Sequence, residues 1–292
     1  MTDDAETDRA PASEYPAMVG PDATVRCGGA NALVDLRAVL GVVARGKLKC
    51  SSVSQRPSEI TTRIIGRALV GGDHYEDEAI ASFAWPLLLL AGGLALLDGP
   101  WMRLTARGRT VLESARPEHL QGLWDRWLLK APIDELMRID AIRGQRKPGT
   151  LSAPTKRRAA AAAGLARLPV GEWVTVERLF DLARTLEPPL VVPRTPKAIW
   201  TLYVDDPERG SLGYASEDLG VRGAWDVLEG RYLLCLVFEY AATLGLVDVA
   251  YRNPQDARED FRGLWGTENY RYLSRYDGLL AVRRNGFGAE IH

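Results

Sequence analysis

Cysteine and histidine are scarce, three of each in 292 residues. Cys27, Cys50 and Cys235 are odd in number and lack the close spacing of a zinc site, so neither a disulfide framework nor structural zinc is expected. Free thiols fit a reducing compartment, which makes the cytoplasm the expected location. Long apolar runs are missing too. The longest, Phe83 to Leu97, is too short and too rich in glycine and proline to span a bilayer, so no membrane partner is expected. The polar, acidic N-terminus excludes a secretory signal. There is no phosphate-cradling glycine loop, dinucleotide fingerprint, paired-histidine metal helix or nucleophile elbow. The expectation is a protein with no catalytic residues, no metal and no cofactor, and therefore not an enzyme.

The apolar content of 46% is enough to bury a substantial core. The net charge of −1 hides an uneven distribution. Asp3, Asp4, Glu6, Asp8 and Glu14 stand against Arg9 at the start. Arg138, Arg143, Arg146, Lys147, Lys156, Arg157 and Arg158 stand against Asp140 in the middle. The pattern is an acidic tail and a basic joint.

The acidic tail, residues 1–28, lacks apolar periodicity and is expected to be disordered. A first domain then spans 29–116. Asn31 can cap a helix carrying Leu33, Leu36, Val39, Leu40 and Val43 at helical spacing, closed by Gly46. A short strand over Lys47 to Ser51 follows. Pro57 opens a second helix with Ile60, Ile64 and Ala68 on one side and Arg63 and Arg67 on another. Gly71-Gly72 stops it. The loop GGDHYEDE offers Asp73, Glu76, Asp77 and Glu78 to the start of the next helix; capping explains these carboxylates better than a metal bound with His74. A third helix, Ile80 to Ala91, leads to two apolar strands joined at Asp98-Gly99, and Thr105 caps a closing helix.

The joint, 117–155, begins with a helix over Pro117 to Lys130 in which Leu120, Leu123, Trp124 and Trp127 form a core stripe. A helical piece over Ile133 to Ile142 leads into the basic loop. The second domain, 156–292, repeats the plan: an alanine-rich helix from Lys156 to Leu168, a strand at Trp173 to Val176 and a helix to Leu186. An insertion at about 187–224 follows, with Pro188, Pro189, Pro193, Pro196 and Pro207. Next comes a helix so apolar that only Glu239 is charged between Tyr232 and Ala242; it is expected to be a central core helix. Gly245 ends it. A strand from Leu246 to Tyr251 and a final one from Leu279 to Val282, preceded by Tyr276-Asp277-Gly278, make a second hairpin. The fold class is mainly α with small β-hairpins, an α+β chain of tandem winged-helix domains.

Three stretches carry a resemblance: Leu104 to Leu112 (LTARGRTVL), Leu244 to Tyr251 (LGLVDVAY) and Tyr272 to Leu280 (YLSRYDGLL). They resemble bacterial helicase-associated winged-helix proteins, which are similar to the accessory region of XPB-type helicases, and the likeness covers most of residues 30–285. It implies non-catalytic association with DNA as an accessory subunit, beside a protein partner such as a helicase or nuclease. The chain departs from that pattern at Arg283-Arg284-Asn285-Gly286-Phe287-Gly288, where a closing helix would begin. Winged helices read bases with polar side chains of their third helix, but both third helices here are apolar. DNA contact is therefore expected through phosphates and weakly sequence-specific. The cations expected to make it are Lys47, Lys49, Arg56, Arg63 and Arg67 in the first domain and Arg143, Arg146, Lys147, Lys156, Arg157 and Arg158 at the joint. The alternative is an adaptor that binds a partner protein and not DNA, supported by the proline-punctuated insertion and by Trp200, Tyr203 and Tyr214.

Overall fold

The apolar spacing of the first half becomes helix where that spacing is regular. In the computed structural model, which describes residues 19–290, α1 spans Gly29–Ala44 and buries Leu36, Val39, Leu40 and Val43. Its cap is Gly28, not Asn31, and the Gly28 amide donates to Asp248 Oδ1 at 3.0 Å from the other half of the chain. Just before it, Thr24–Arg26 form β1. The end of the expected disordered tail is thus a strand, because it finds a free sheet edge, with Thr24 opposite Tyr251. The acidic residues at positions 3–14 lie outside the described residues.

Lys47 to Ser51 is extended, with Lys49 bridged to Trp101. The second helix, α2, spans Glu59–Gly66 and is capped by Ser58, whose hydroxyl accepts from the Thr61 amide at 3.2 Å. The helix buries Thr61 and Ile65, not the expected Ile60 stripe, and leaves Ile60 65% exposed. The rotation has a cause: the Thr61 hydroxyl is drawn inward, donating to the Lys49 carbonyl and accepting from the Lys49 amide, both at 2.8 Å. Those two bonds tie α2 to the backbone of the extended segment, whose Lys49 carbonyl also accepts from the Ser58 amide at 3.0 Å.

Helix α3, Ala81–Ala91, is buried from Ala81 to Leu89. Asp73 caps it as expected: its carboxylate accepts from the amides of Ala81 at 2.8 Å and Ser82 at 3.0 Å. Burial works against the Asp73 charge, but the adjacent His74 and the hydroxyl and amide of Ser82 outweigh it and hold the pKa down at about 2. Strands β2 (Ala95–Asp98) and β3 (Trp101–Leu104) pair around Gly99 and Pro100. Thr105 then caps α4, Ala106–Glu113, accepting from the Gly108 amide at 3.0 Å. Helix α5, Pro117–Lys130, buries the Leu120, Leu123, Trp124 and Trp127 stripe.

The expected helix over Ile133 to Ile142 is only a 3-10 turn at Glu135–Arg138, followed by β4, Ile142–Arg143. Helix α6 spans Pro154–Ala166, β5 Trp173–Thr175, α7 Val176–Arg184, β6 Tyr203–Val204 and α8 Ala215–Asp218. Four helical segments, Gly220–Trp225, Asp226–Gly230, Arg231–Cys235 and Leu236–Ala241, then run on as one helix, α9. Every residue from Val227 to Tyr251 is buried, so α9 is the central helix that its composition requires. Strands β7 (Val247–Tyr251) and β8 (Leu279–Arg284) complete an antiparallel sheet in the order β1-β7-β8-β5. Arg283 and Arg284 belong to that strand, and a 3-10 turn at Phe287–Glu290 follows in place of a closing helix.

The molecule is therefore an α+β chain of helices and small antiparallel sheets. The first half runs helix, extended segment, two helices and the β2–β3 hairpin; the second runs α6, β5, α7, then β6 and α8 before α9, with a long connection between β7 and β8. In both, the short extended segment pairs with the second strand of an antiparallel pair, Lys49 with Trp101 and β5 with β8. One hydrophobic cluster runs through both halves. Helix α3 packs against the end of α9, α5 lies against α3 and α6, and Trp127 stacks on Tyr240 with ring centroids 4.0 Å apart. No helix among the described residues is long and apolar enough to cross a membrane.

Candidate nucleic-acid interface

Two buried carboxylates, Glu239 and Glu135, take cations from the joint. Glu239 is fully buried on α9 and takes Arg138 with both carboxylate oxygens, at 2.7–3.0 Å. Tyr276 donates to it at 2.5 Å. Arg138 also lies 3.6 Å over the Phe83 ring, which ties α3 to α9. Glu135 accepts from Arg158 Nε at 2.6 Å and from the Tyr232 hydroxyl at 3.1 Å. Arg157 pairs with Asp134 and donates to the Ser152 carbonyl.

These bonds correct two of the expected DNA contacts. Arg157 and Arg158 are 1% and 3% exposed and are occupied by Asp134 and Glu135, so no phosphate reaches them. The reason is positional: both fall on the inward face of α6, where two carboxylates lie beside the core. Two further arginines are poorly placed. Arg63 pairs with Glu59 at 2.7 Å, and Arg63 and Arg67 line a hollow with Asp73, Glu76, Asp77 and Glu78, whose charge repels phosphate. Lys47 and Lys49 are exposed, with the Lys49 ammonium 4.2 Å from the Trp101 ring centroid. Arg56 is half-buried and donates to the Met137 carbonyl at 2.8 Å. Lys156 is exposed at the start of α6.

The remaining joint cations come together. Strand β4 pairs with β6, setting Arg143 opposite Tyr203 and Ile142 opposite Val204. The loop after β4 turns at Gly144, where φ is +83° and an added Cβ would stand 1.9 Å from the Thr201 carbonyl oxygen. Only glycine allows that approach without moving backbone. The result is an open cleft of about 640 Å³ between the basic loop and the insertion, with Arg143, Arg146 and Lys147 on one wall and Trp200 and Tyr203 on the other. All three cations are exposed, and none makes an ion pair among the described residues. The cleft's carboxylate, Asp140, is already held by Arg275 at 2.5 Å. Arg146 also faces a neighbouring cavity lined by Arg56 and Lys130, which extends the positive surface.

The sequence marks the basic loop and the aromatics separately, and the pairing of a two-residue strand with another some sixty residues away joins them. Neither strand has a pattern long enough to be read as strand. Chemically, the cleft offers exposed donors for phosphate oxygens and flat rings for stacking. Comparison with protein-family models, curated proteins and solved structures found no match to this chain.

Proposed function

We propose that the chain is a tandem winged-helix protein that associates with DNA through the exposed cations of its joint. In this reading it is an accessory subunit beside a helicase or nuclease, with no catalytic step of its own. The observation that carries the proposal is the cleft in which Arg143, Arg146 and Lys147 stand together, exposed and unpaired, next to two aromatic rings. The strand pairing shared by the two halves supports the tandem winged helix, with β2–β3 and β7–β8 as wings. The burial of α3 from Ala81 to Leu89 and of α9 from Val227 to Ala241 supports phosphate contact over base reading, since those stretches have no free polar face to lay in a groove. Binding of this kind is weakly sequence-specific and weakens steeply with salt.

The test is a titration of a labelled duplex carrying a single-stranded tail, at two salt concentrations, with the triple variant Arg143→Ala, Arg146→Ala, Lys147→Ala beside the wild type. The wild type is expected to bind with a steep salt dependence, and the variant to bind more weakly with a slope reduced by about 2–3. An unchanged slope, or no binding at low salt, would sink the proposal. The adaptor reading rests on the exposed aromatics of the insertion, Trp200 at 49% and Tyr214 at 40%, which suit a protein interface. It becomes the conclusion if DNA fails to bind.

A further inference from the structure

We infer that the cleft takes single-stranded nucleic acid, with an unpaired base stacked on Trp200. This rests on the DNA-associating reading above and narrows its substrate. Trp200 is 49% exposed, unusual for so large an apolar ring, and the ring is held. One of its faces lies on Gly213, where an added Cβ would come within 2.2–2.6 Å of three indole ring atoms. The Tyr214 ring meets it edge-on, 4.8 Å between centroids at 84°. The Trp200 backbone carbonyl accepts from the Ser211 hydroxyl at 3.1 Å, fixing the turn that carries the ring. Trp200 lines the cleft beside Arg143, Arg146 and Lys147, so the supported ring stands with the cations.

A pre-set aromatic ring beside exposed cations is the arrangement that binds single strands: cations follow the backbone, and the ring takes a base face of any identity. A paired duplex buries its base faces in its own stack and presents only phosphates. A volume of about 640 Å³ accommodates a nucleotide or two with base and phosphate together, not a helix. The register that sets Arg143 opposite Tyr203 puts a cation beside an aromatic ring of the cleft.

The experiment is fluorescence anisotropy with labelled oligothymidylate and oligouridylate of about ten nucleotides and a blunt duplex of equal length. It compares the wild type, Trp200→Ala, Trp200→Phe and the triple joint variant. Both single strands are expected to bind more tightly than the duplex. Trp200→Ala is expected to weaken single-strand binding about tenfold while keeping the salt slope, and Trp200→Phe, which keeps a stacking ring, to recover most of the loss. Far-UV circular dichroism checks that the variants fold. Wild-type affinity in Trp200→Ala, or a blunt duplex bound as tightly as the single strands, overturns the inference. If in that case the triple variant still loses its salt slope, the DNA-associating reading survives alone; if no nucleic acid binds at low salt, both fall.

Discussion

Glu229 is buried on α9 with the Val192 amide donating to its Oε1 at 3.0 Å and, among the described residues, no cation paired with it. Burial raises its pKa to about 7, since a carboxylate away from water and without a counter-charge prefers its proton. An acid whose pKa rises on folding holds its proton more tightly in the native state. Stability is therefore full below the ordinary carboxylate range and falls as pH rises toward the folded value, by about 3 kcal/mol in all. Urea unfolding is expected to show that loss between pH of about 5 and about 8. Glu229→Gln, which keeps a carbonyl acceptor for Val192, should flatten the profile. A variant as pH-dependent as the wild type would refute the assignment. Glu239, ten residues on, shows the opposite solution, because Arg138 neutralises it with a paired contact. Its need for cover was legible in the sequence, as the only charge in an apolar run. Its partner, 101 residues away, was not.

At the scale of elements, local chemistry was most legible where a single side chain decides. Thr105 and Asp73 cap the helices assigned to them, Gly245 ends α9, and Trp124 and Trp127 pack inward. Reading erred where a distant contact overrode spacing. Helix α2 turned by one position because Thr61 bonds the backbone of Lys49, and β1 formed because β7 had an open edge. The short β4–β6 ladder is the element on which the cleft depends, and Gly144 is its weak point. Gly144→Ala places a Cβ against the Thr201 carbonyl and forces a left-handed conformation, a local cost of about 1–3 kcal/mol that the loop relieves by moving away from the insertion. The expected outcome is single-strand affinity reduced at least as far as in Trp200→Ala, with a melting temperature close to wild type because the core is untouched. Unchanged affinity would mean the loop position does not matter.

For the whole molecule, the shared core determines what can fold alone. The second half lacks β1 at the edge of β7 and lacks α3 and α5 against α9, and without them an apolar helix and a sheet edge face water. A fragment of residues 156–292 is expected to aggregate or to unfold without a cooperative transition. The full chain should unfold in one step, with tryptophan fluorescence and far-UV circular dichroism superimposing. A fragment with its own sharp transition would show that the halves are independent domains. The same packing buries α3 from Ala81 to Leu89 and α9 from Val227 onward and leaves the cleft between the joint and the insertion open at the surface.

By itself the sequence determined the α+β class, the central apolar helix and the basic character of the joint. Each of these follows from periodicity, capping residues and composition, which act over a few residues along the chain. The tertiary structure alone decided which cations remain at the surface. Lys147 and Arg157 look alike in a basic run, yet one is exposed and the other sits at 1% exposure in an ion pair with Asp134. It also decided that Trp200 stands across from Arg143, because a charge is neutralised and a cleft is formed by residues that only folding brings together.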